Sequence, residues 1–131
     1  MKAITREWLE RAKEDLDVVT EIISREDLTN MVAFHSQQAV EKTMKGIIEE
    51  FEIGFVKTHN LERLLEIIKE KVEINPPLDL LKRLDEVYIN ARYPGDLGLI
   101  PSGKPSTQEA MELYNFADSF YFDVLRMMEV K

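Results

Sequence analysis

The stretch of residues 31–51, MVAFHSQQAVEKTMKGIIEEF, constrains the fold of this chain more than any other. Its apolar residues follow the spacing of an α-helix with one buried face, at Ala33, Val40, Met44, Ile47, Ile48 and Phe51. A second line of side chains, at i, i+3, i+7 and i+10, is polar, and we call it the polar row: His35, Gln38, Lys42 and Lys45. The segment therefore predicts a long core helix from about residue 30 to residue 51, with the polar row along one edge.

The polar row has two interpretations. As a ligand site, its two lysines would meet phosphates, Gln38 would hold a base or ribose edge, and His35 would donate or accept a proton. As ordinary helix surface, His35 and Gln38 would be half-buried against neighbours and the lysines would simply be solvated. Spacing alone favours the second interpretation.

Length and composition predict one compact domain over residues 1–131. The chain is 44% hydrophobic and 32% charged, which excludes a disordered polyelectrolyte. No apolar run approaches the roughly 18 residues that a membrane span needs, and the amino terminus becomes charged too soon for a secretory signal. There is no cysteine, so disulfides, thiol nucleophiles and Cys-ligated metals are excluded. We expect a cytoplasmic protein without membrane association.

The net charge of −8 opposes broad binding to nucleic acid, which requires a basic face, but leaves a small anionic ligand open. The common enzyme patterns are missing: there is no phosphate-binding loop, no dinucleotide fingerprint and no G-x-S-x-G elbow. The two histidines form no H-x-x-x-H pair, so the case for a metal is weak. We assign no catalytic residue, no metal and no cofactor, and the prediction leans against an enzyme.

Four further helices complete the prediction. A first helix over residues 5–24 would be capped by Thr5, a third would begin at Asn60, and a fourth would run over residues 78–92 after two prolines. The last would open with the capping box of residues 106–109, STQE. Short connections between most of them predict an all-α, up-and-down bundle of about five helices.

The last helix is apolar on more than one side, because Phe116, Phe120 and Phe122 lie off its main apolar face. Such an excess indicates either a homodimer interface or a helix that lies centrally in the bundle and is wrapped on most sides. The sequence leaves these two explanations open.

The segment that joins the last two helices, residues 93–105, holds three of the five glycines and three of the five prolines, so it predicts an irregular, functional loop. At its start, Arg92 offers a forked donor for phosphate, Tyr93 an aromatic platform and Asp96 an acceptor. The alternative is ordinary helix-end and turn chemistry. His59 precedes the third helix among cap residues, and a lone loop histidine is more often not a ligand.

Three segments, in this order along the chain, carry a family resemblance. Residues 33–46, AFHSQQAVEKTMKG, resemble the signature helix of HEPN domains, whose name stands for "higher eukaryotes and prokaryotes nucleotide-binding". Residues 58–65, THNLERLL, are similar to the family's T-H-D-L segment, with Asn60 in place of aspartate. Residues 88–94, YINARYP, are similar to its Y-I-x-A-R-Y-P segment.

The resemblance implies an all-α bundle, often dimeric, in a small prokaryotic protein whose relatives are commonly encoded beside a minimal nucleotidyltransferase. Such pairs often act as toxin–antitoxin systems, or as a catalytic subunit with a substrate-binding subunit, and the resemblance implies the substrate-binding role for this chain. Many relatives are ribonucleases with an R-x(4–6)-H motif, and Arg92 is the matching arginine here. No histidine follows it at that distance, so the chain departs from the ribonuclease pattern.

We therefore predict a non-catalytic HEPN module that binds a nucleotide or related anion and partners a minimal nucleotidyltransferase, itself a homodimer, with RNA a disfavoured partner. The predicted ligand-binding residues are His35, Gln38, Lys42, Lys45, Arg92, Tyr93 and Asp96. One alternative is a ribonuclease toxin that uses Arg92 with a histidine outside the motif. The other is a purely structural helical module for dimerisation or partner binding.

Overall fold

The computed structural model describes residues 1–92 and 104–129, and the side chains of residues 89–92 lie outside that description. Five α-helices follow one another along the chain: α1 Ala3–Ile22, α2 Thr29–Glu50, α3 Leu61–Lys69, α4 Leu78–Arg92 and α5 Thr107–Glu129. A single turn of 3-10 helix, Glu26–Leu28, joins α1 to α2. Neither described part of the chain contains a β-strand. The predicted all-α bundle of five helices is confirmed.

Helix α2 is the centre of the bundle, as its long apolar pattern predicts. It packs against each of the other four helices, and Val40, Met44 and Ile47 on its buried face have no exposed surface. Gly46 lets α1 approach closely, since a Cβ at this position would lie 3.4 Å from a methyl carbon of Leu9. The polar row lies on the face of α2 that points away from the core.

Side chains fix the ends of two other helices. The Asn60 side chain accepts a hydrogen bond from a backbone amide of the first turn of α3, and the carboxylate of Asp85 on α4 accepts from the amides of Leu61 and Glu62. The predicted capping box is confirmed, with reciprocal 3.0 Å hydrogen bonds between residues 106 and 109. The predicted cap at Thr5 is wrong: α1 begins at Ala3, and Thr5 is buried within it.

The connection from α2 to α3 turns sharply. Glu52 has φ 53° and Gly54 has φ 130°, a backbone conformation that favours glycine because it has no Cβ. The next residue, Phe55, projects outward with 83% of its surface exposed. This connection brings an aromatic side chain to the end of α2 that carries Lys45.

The three phenylalanines of α5 divide between interior and surface. Phe116 and Phe120 are buried in the main core with ring centroids 5.8 Å apart, whereas Phe122 is 37% exposed. Phe116 and Phe120 also line a 620 Å³ apolar cavity between α5 and the segment that leads into α4. Two of the three residues thus pack inside the bundle, which favours the central-helix explanation, and the homodimer stays a prediction.

None of the described helices is both long and apolar enough to cross a membrane. Over the same residues, no three histidine, aspartate or glutamate side chains come together in a way that would hold a metal ion.

Candidate functional site

The four side chains of the polar row lie on one outward edge of α2, and two buried carboxylates hold three of them in place. Asp15, on α1, is 7% exposed, and Glu41, on α2 itself, is 4% exposed. Carboxylates this deeply buried need ionic or hydrogen-bonding partners, because desolvating an unpaired charge is costly. The polar row supplies part of those partners.

Asp15 binds two members of the row, His35 and Lys42. One of its oxygens lies 2.9 Å from Nδ1 of His35, and the other lies 2.7 Å from Nζ of Lys42. Both oxygens of the carboxylate therefore have a partner from α2. The contact also ties α1 to α2 through polar groups, beside the apolar packing of the same two helices.

Glu41 holds the other end of the row and reaches the α2–α3 connection. One oxygen lies 2.8 Å from both Nζ of Lys45 and Nδ1 of His59, and the other accepts a 3.2 Å hydrogen bond from the side-chain amide of Gln37. The oxygen of that buried amide accepts a 2.6 Å hydrogen bond from Gln38. A continuous network thus runs from the connection to the outward face of α2.

Each histidine faces its carboxylate with the same ring nitrogen. In a neutral imidazole, a carboxylate at Nδ1 favours the tautomer that carries its proton there, which leaves the Nε2 lone pair as an acceptor. The same arrangement orients the imidazole of histidine–carboxylate pairs that act as general bases. The Asp15–His35 and Glu41–His59 pairs are chemically able to accept a proton from a bound ligand.

Aromatic rings lie beside the polar row on the side of α4. The Tyr88 ring stacks on Phe34 with centroids 6.2 Å apart and on His59 with centroids 5.5 Å apart, while His35 meets Phe34 edge-on. On the other side, Nζ of Lys45 lies 5.5 Å from the centroid of the Trp8 ring, within range of a cation–π interaction. The row therefore has aromatic surfaces on both flanks.

The sequence-based interpretations of the row are resolved in part. His35 and Gln38 are half-buried and bonded to neighbours, as the surface interpretation expects. The lysines are not ordinary surface, since their side chains are only 27% and 14% exposed and each is paired with a buried carboxylate. A role for the row in ligand binding stays a prediction.

The other predicted site residues lie at the edge of the described chain. Arg92 is the last residue of α4, and its side chain lies outside the described residues, as do Tyr93 and Asp96 altogether. The structure therefore describes no contact between them and the polar row, and their role in binding also stays a prediction.

Sequence reasoning missed the two carboxylates that bind the polar row, and it did not predict that His59 contacts one of them. A signal was present for Asp15, because a helix position between Ala12, Leu16 and Val19 faces the core and a charge there needs a partner. Glu41 lies four residues from both Gln37 and Lys45, the spacing of helix neighbours. The partnership with His59 depends on the path of the connection and has no local signal.

Comparisons with a family model and with solved structures both identify relatives of this chain. The model of the HEPN domain matches residues 5–127, so the chain belongs to the HEPN domain family. Among solved structures, TT1696 from Thermus thermophilus is 26% identical, with a TM-score of 0.81 over 95% of this chain and 98% of that one. ST0689, described as an archaeal HEPN homologue, is 27% identical, with a TM-score of 0.69 over 97% and 98%. No curated protein matches the sequence significantly.

Proposed function

We propose that this chain is a non-catalytic HEPN module that binds a nucleotide along the polar row of α2. The observation that carries the proposal is the fixing of Lys42 and Lys45, one turn apart, by two buried carboxylates. In the proposal these two ammonium groups meet phosphate oxygens, and Gln38 and His35 contact the sugar or base.

Fixed lysines suit a small anion. An ammonium group has three donors, and each lysine uses one on its carboxylate, which leaves donors for a ligand. Because the side chains are already held, binding loses less conformational entropy than it would with free surface lysines. The two lysines and the two carboxylates together carry no net charge when both histidines are neutral, so the row lacks the excess of positive charge that a duplex would require.

Three further residues and two partner proteins enter the proposal from the sequence analysis alone. Arg92 would join the lysines at the phosphates, Tyr93 would offer a stacking surface and Asp96 an acceptor. A homodimer, and a minimal nucleotidyltransferase in a toxin–antitoxin pair, are proposed from the family resemblance, with the protein in the cytoplasm. Size-exclusion chromatography with light scattering, alone and with such a partner, tests both assemblies.

A thermal-shift panel of nucleotides tests the binding proposal. A ligand at about 100 times its Kd stabilises a protein by roughly 2.7 kcal/mol, which corresponds to several degrees in a domain of this size. Lys42→Gln should abolish the ligand-induced shift, whatever it does to the starting Tm. Lys69→Gln, at an exposed position in the last turn of α3, should keep the shift and serves as the matched control. No shift with any nucleotide would refute the proposal.

A ribonuclease is the second candidate, and the Glu41–His59 pair favours it. The His59 side chain is 55% exposed and its Nδ1 is held by Glu41, so its Nε2 could take the proton of a ribose 2′-hydroxyl. Arg92 would then stabilise the phosphate. Incubation of the purified protein with RNA decides between the candidates: cleavage that is lost in both His59→Ala and Arg92→Ala would establish the enzyme and overturn the non-catalytic proposal.

A further inference from the structure

A cleft opens at the end of the polar row, between the first turns of α1, the last turns of α2 and the connection that follows. It has a volume of about 340 Å³ and is lined by Trp8, Lys45, Ile48, Glu49, Phe55 and Lys57, among others. Small-molecule sites in proteins begin at about this size. Lys45 belongs to both the cleft and the polar row, so the two surfaces are continuous.

Two aromatic rings and two ammonium groups face this cleft. Nζ of Lys45 lies 5.5 Å from the Trp8 ring, and Nζ of Lys57 lies 5.9 Å from the Phe55 ring. Phe55 is 83% exposed, so a ligand that covered this ring would remove a large apolar surface from water. Phe55 directly follows Gly54, whose φ is positive, and both residues line the cleft.

The chemistry of the lining selects a flat molecule with a negative end. A planar ring can stack on Trp8 and Phe55, as bases do on aromatic side chains. Lys45 and Lys57 can hold a phosphate or carboxylate attached to that ring, while the carboxylate of Glu49 opposes a ligand with many charges and can accept from a ring N–H.

We propose that this cleft seats the base of the nucleotide whose phosphate lies on the polar row. The base stacks against Trp8 and Phe55, and the phosphate passes Lys45 toward Lys42, one helical turn away. Gln38 and His35 then contact the sugar. This inference rests on the proposed function of the polar row, and it adds the location of the base.

Tryptophan fluorescence tests the location directly, because Trp8 is the only tryptophan of the chain. Titration with nucleoside monophosphates should quench its emission in a saturable way. The Kd from this quenching should equal the Kd that calorimetry measures. Phe55→Ala should weaken binding roughly tenfold, the loss expected for one stacking partner. Because Phe55 is exposed, the substitution should leave the Tm of the unliganded protein unchanged. Phe122→Ala, a partly exposed phenylalanine of α5, is the control and should bind like the parent protein.

Ribose 5-phosphate separates the base from the phosphate, since it should compete for the polar row and should bind the parent protein and Phe55→Ala with equal affinity. Suppose that calorimetry shows nucleotide binding that requires Lys42, but Trp8 emission does not change and Phe55→Ala binds as tightly as the parent protein. That result would overturn this inference while the proposed function stands. If calorimetry detects no binding of any nucleotide, the proposed function fails and the inference fails with it.

Discussion

Replacing Glu41 by glutamine should destabilise the protein far more than the same change at an exposed glutamate. Glu41 is 4% exposed and is shared by Lys45, His59 and Gln37. The amide keeps the size of the side chain but removes the charge that balances Lys45, whose side chain is only 14% exposed. The lysine is then left partly buried without its carboxylate.

The size of this loss follows from the burial of the partners. Removing one member of a fully buried ion pair costs about 3–5 kcal/mol, and the partial exposure of His59 and Lys45 places Glu41→Gln somewhat below that range, at about 2–3 kcal/mol. A domain of this length loses roughly 3 °C in Tm per kcal/mol, so the expected decrease is about 6–9 °C.

Thermal unfolding followed by circular dichroism at neutral pH measures the difference, with Glu66→Gln as the matched control. Glu66 pairs with Arg63 at 2.9 Å on the surface of α3, where both side chains are more than half exposed, and such a pair is worth less than about 1 kcal/mol. Equal Tm changes in the two variants would refute the argument that Glu41 organises the polar row.

Two further predictions concern helix ends. Ser106→Ala should cost about 1 kcal/mol of stability, because it removes half of the capping box of α5. The backbone amide and the hydroxyl of Ser106 also lower the pKa of Glu109, so the stabilisation by that carboxylate is present above the ordinary glutamate pKa and is lost as the pH falls through the lowered value. Because Ser106→Ala keeps the backbone amide that binds this carboxylate, acid unfolding of the variant should retain most of this pH dependence. Burial raises the pKa of Asp85, although the amides at the start of α3 oppose it, so stability should fall as the pH rises from the ordinary aspartate value through the raised one. Asp85→Asn should flatten this part of a stability–pH profile measured by urea unfolding, and an unchanged slope would contradict the assignment.

The fold was accessible from the sequence because its signals are local. The apolar spacing of residues 31–51 predicts α2 within a residue of its observed ends, and Asn60 and the capping box mark the starts of α3 and α5. Thr5 shows the limit of such signals: a threonine before an apolar face has the composition of a cap, but backbone geometry begins the helix two residues earlier.

Only part of the candidate site could be predicted from the sequence, because tertiary contacts join its residues. The spacing of the polar row places His35, Gln38, Lys42 and Lys45 on one edge of α2. Nothing in that spacing reveals that Asp15, 20 residues before His35, supplies the carboxylate that binds two of them. Such pairings depend on how the helices pack, which a single sequence does not state.

The same reasoning explains why the cleft beside Trp8 was missed. Trp8 has the spacing of a core residue of α1, and Phe55 falls in a short connection that lacks a periodic pattern. Their approach depends on Gly46, which admits α1, and on Gly54, which turns the chain after α2. Two glycines in different segments thus help to shape this cleft, which neither composition nor motifs predict.

The most direct test of the central claim is nuclear magnetic resonance of the labelled protein during titration with the nucleotide that gives the largest thermal shift. If the nucleotide binds along the polar row, the side-chain amide of Gln38 and the ring signals of His35 and His59 will shift together and saturate together. Shifts confined to the cavity beside Phe116 and Phe120, with the signals of the polar row unchanged, would contradict it.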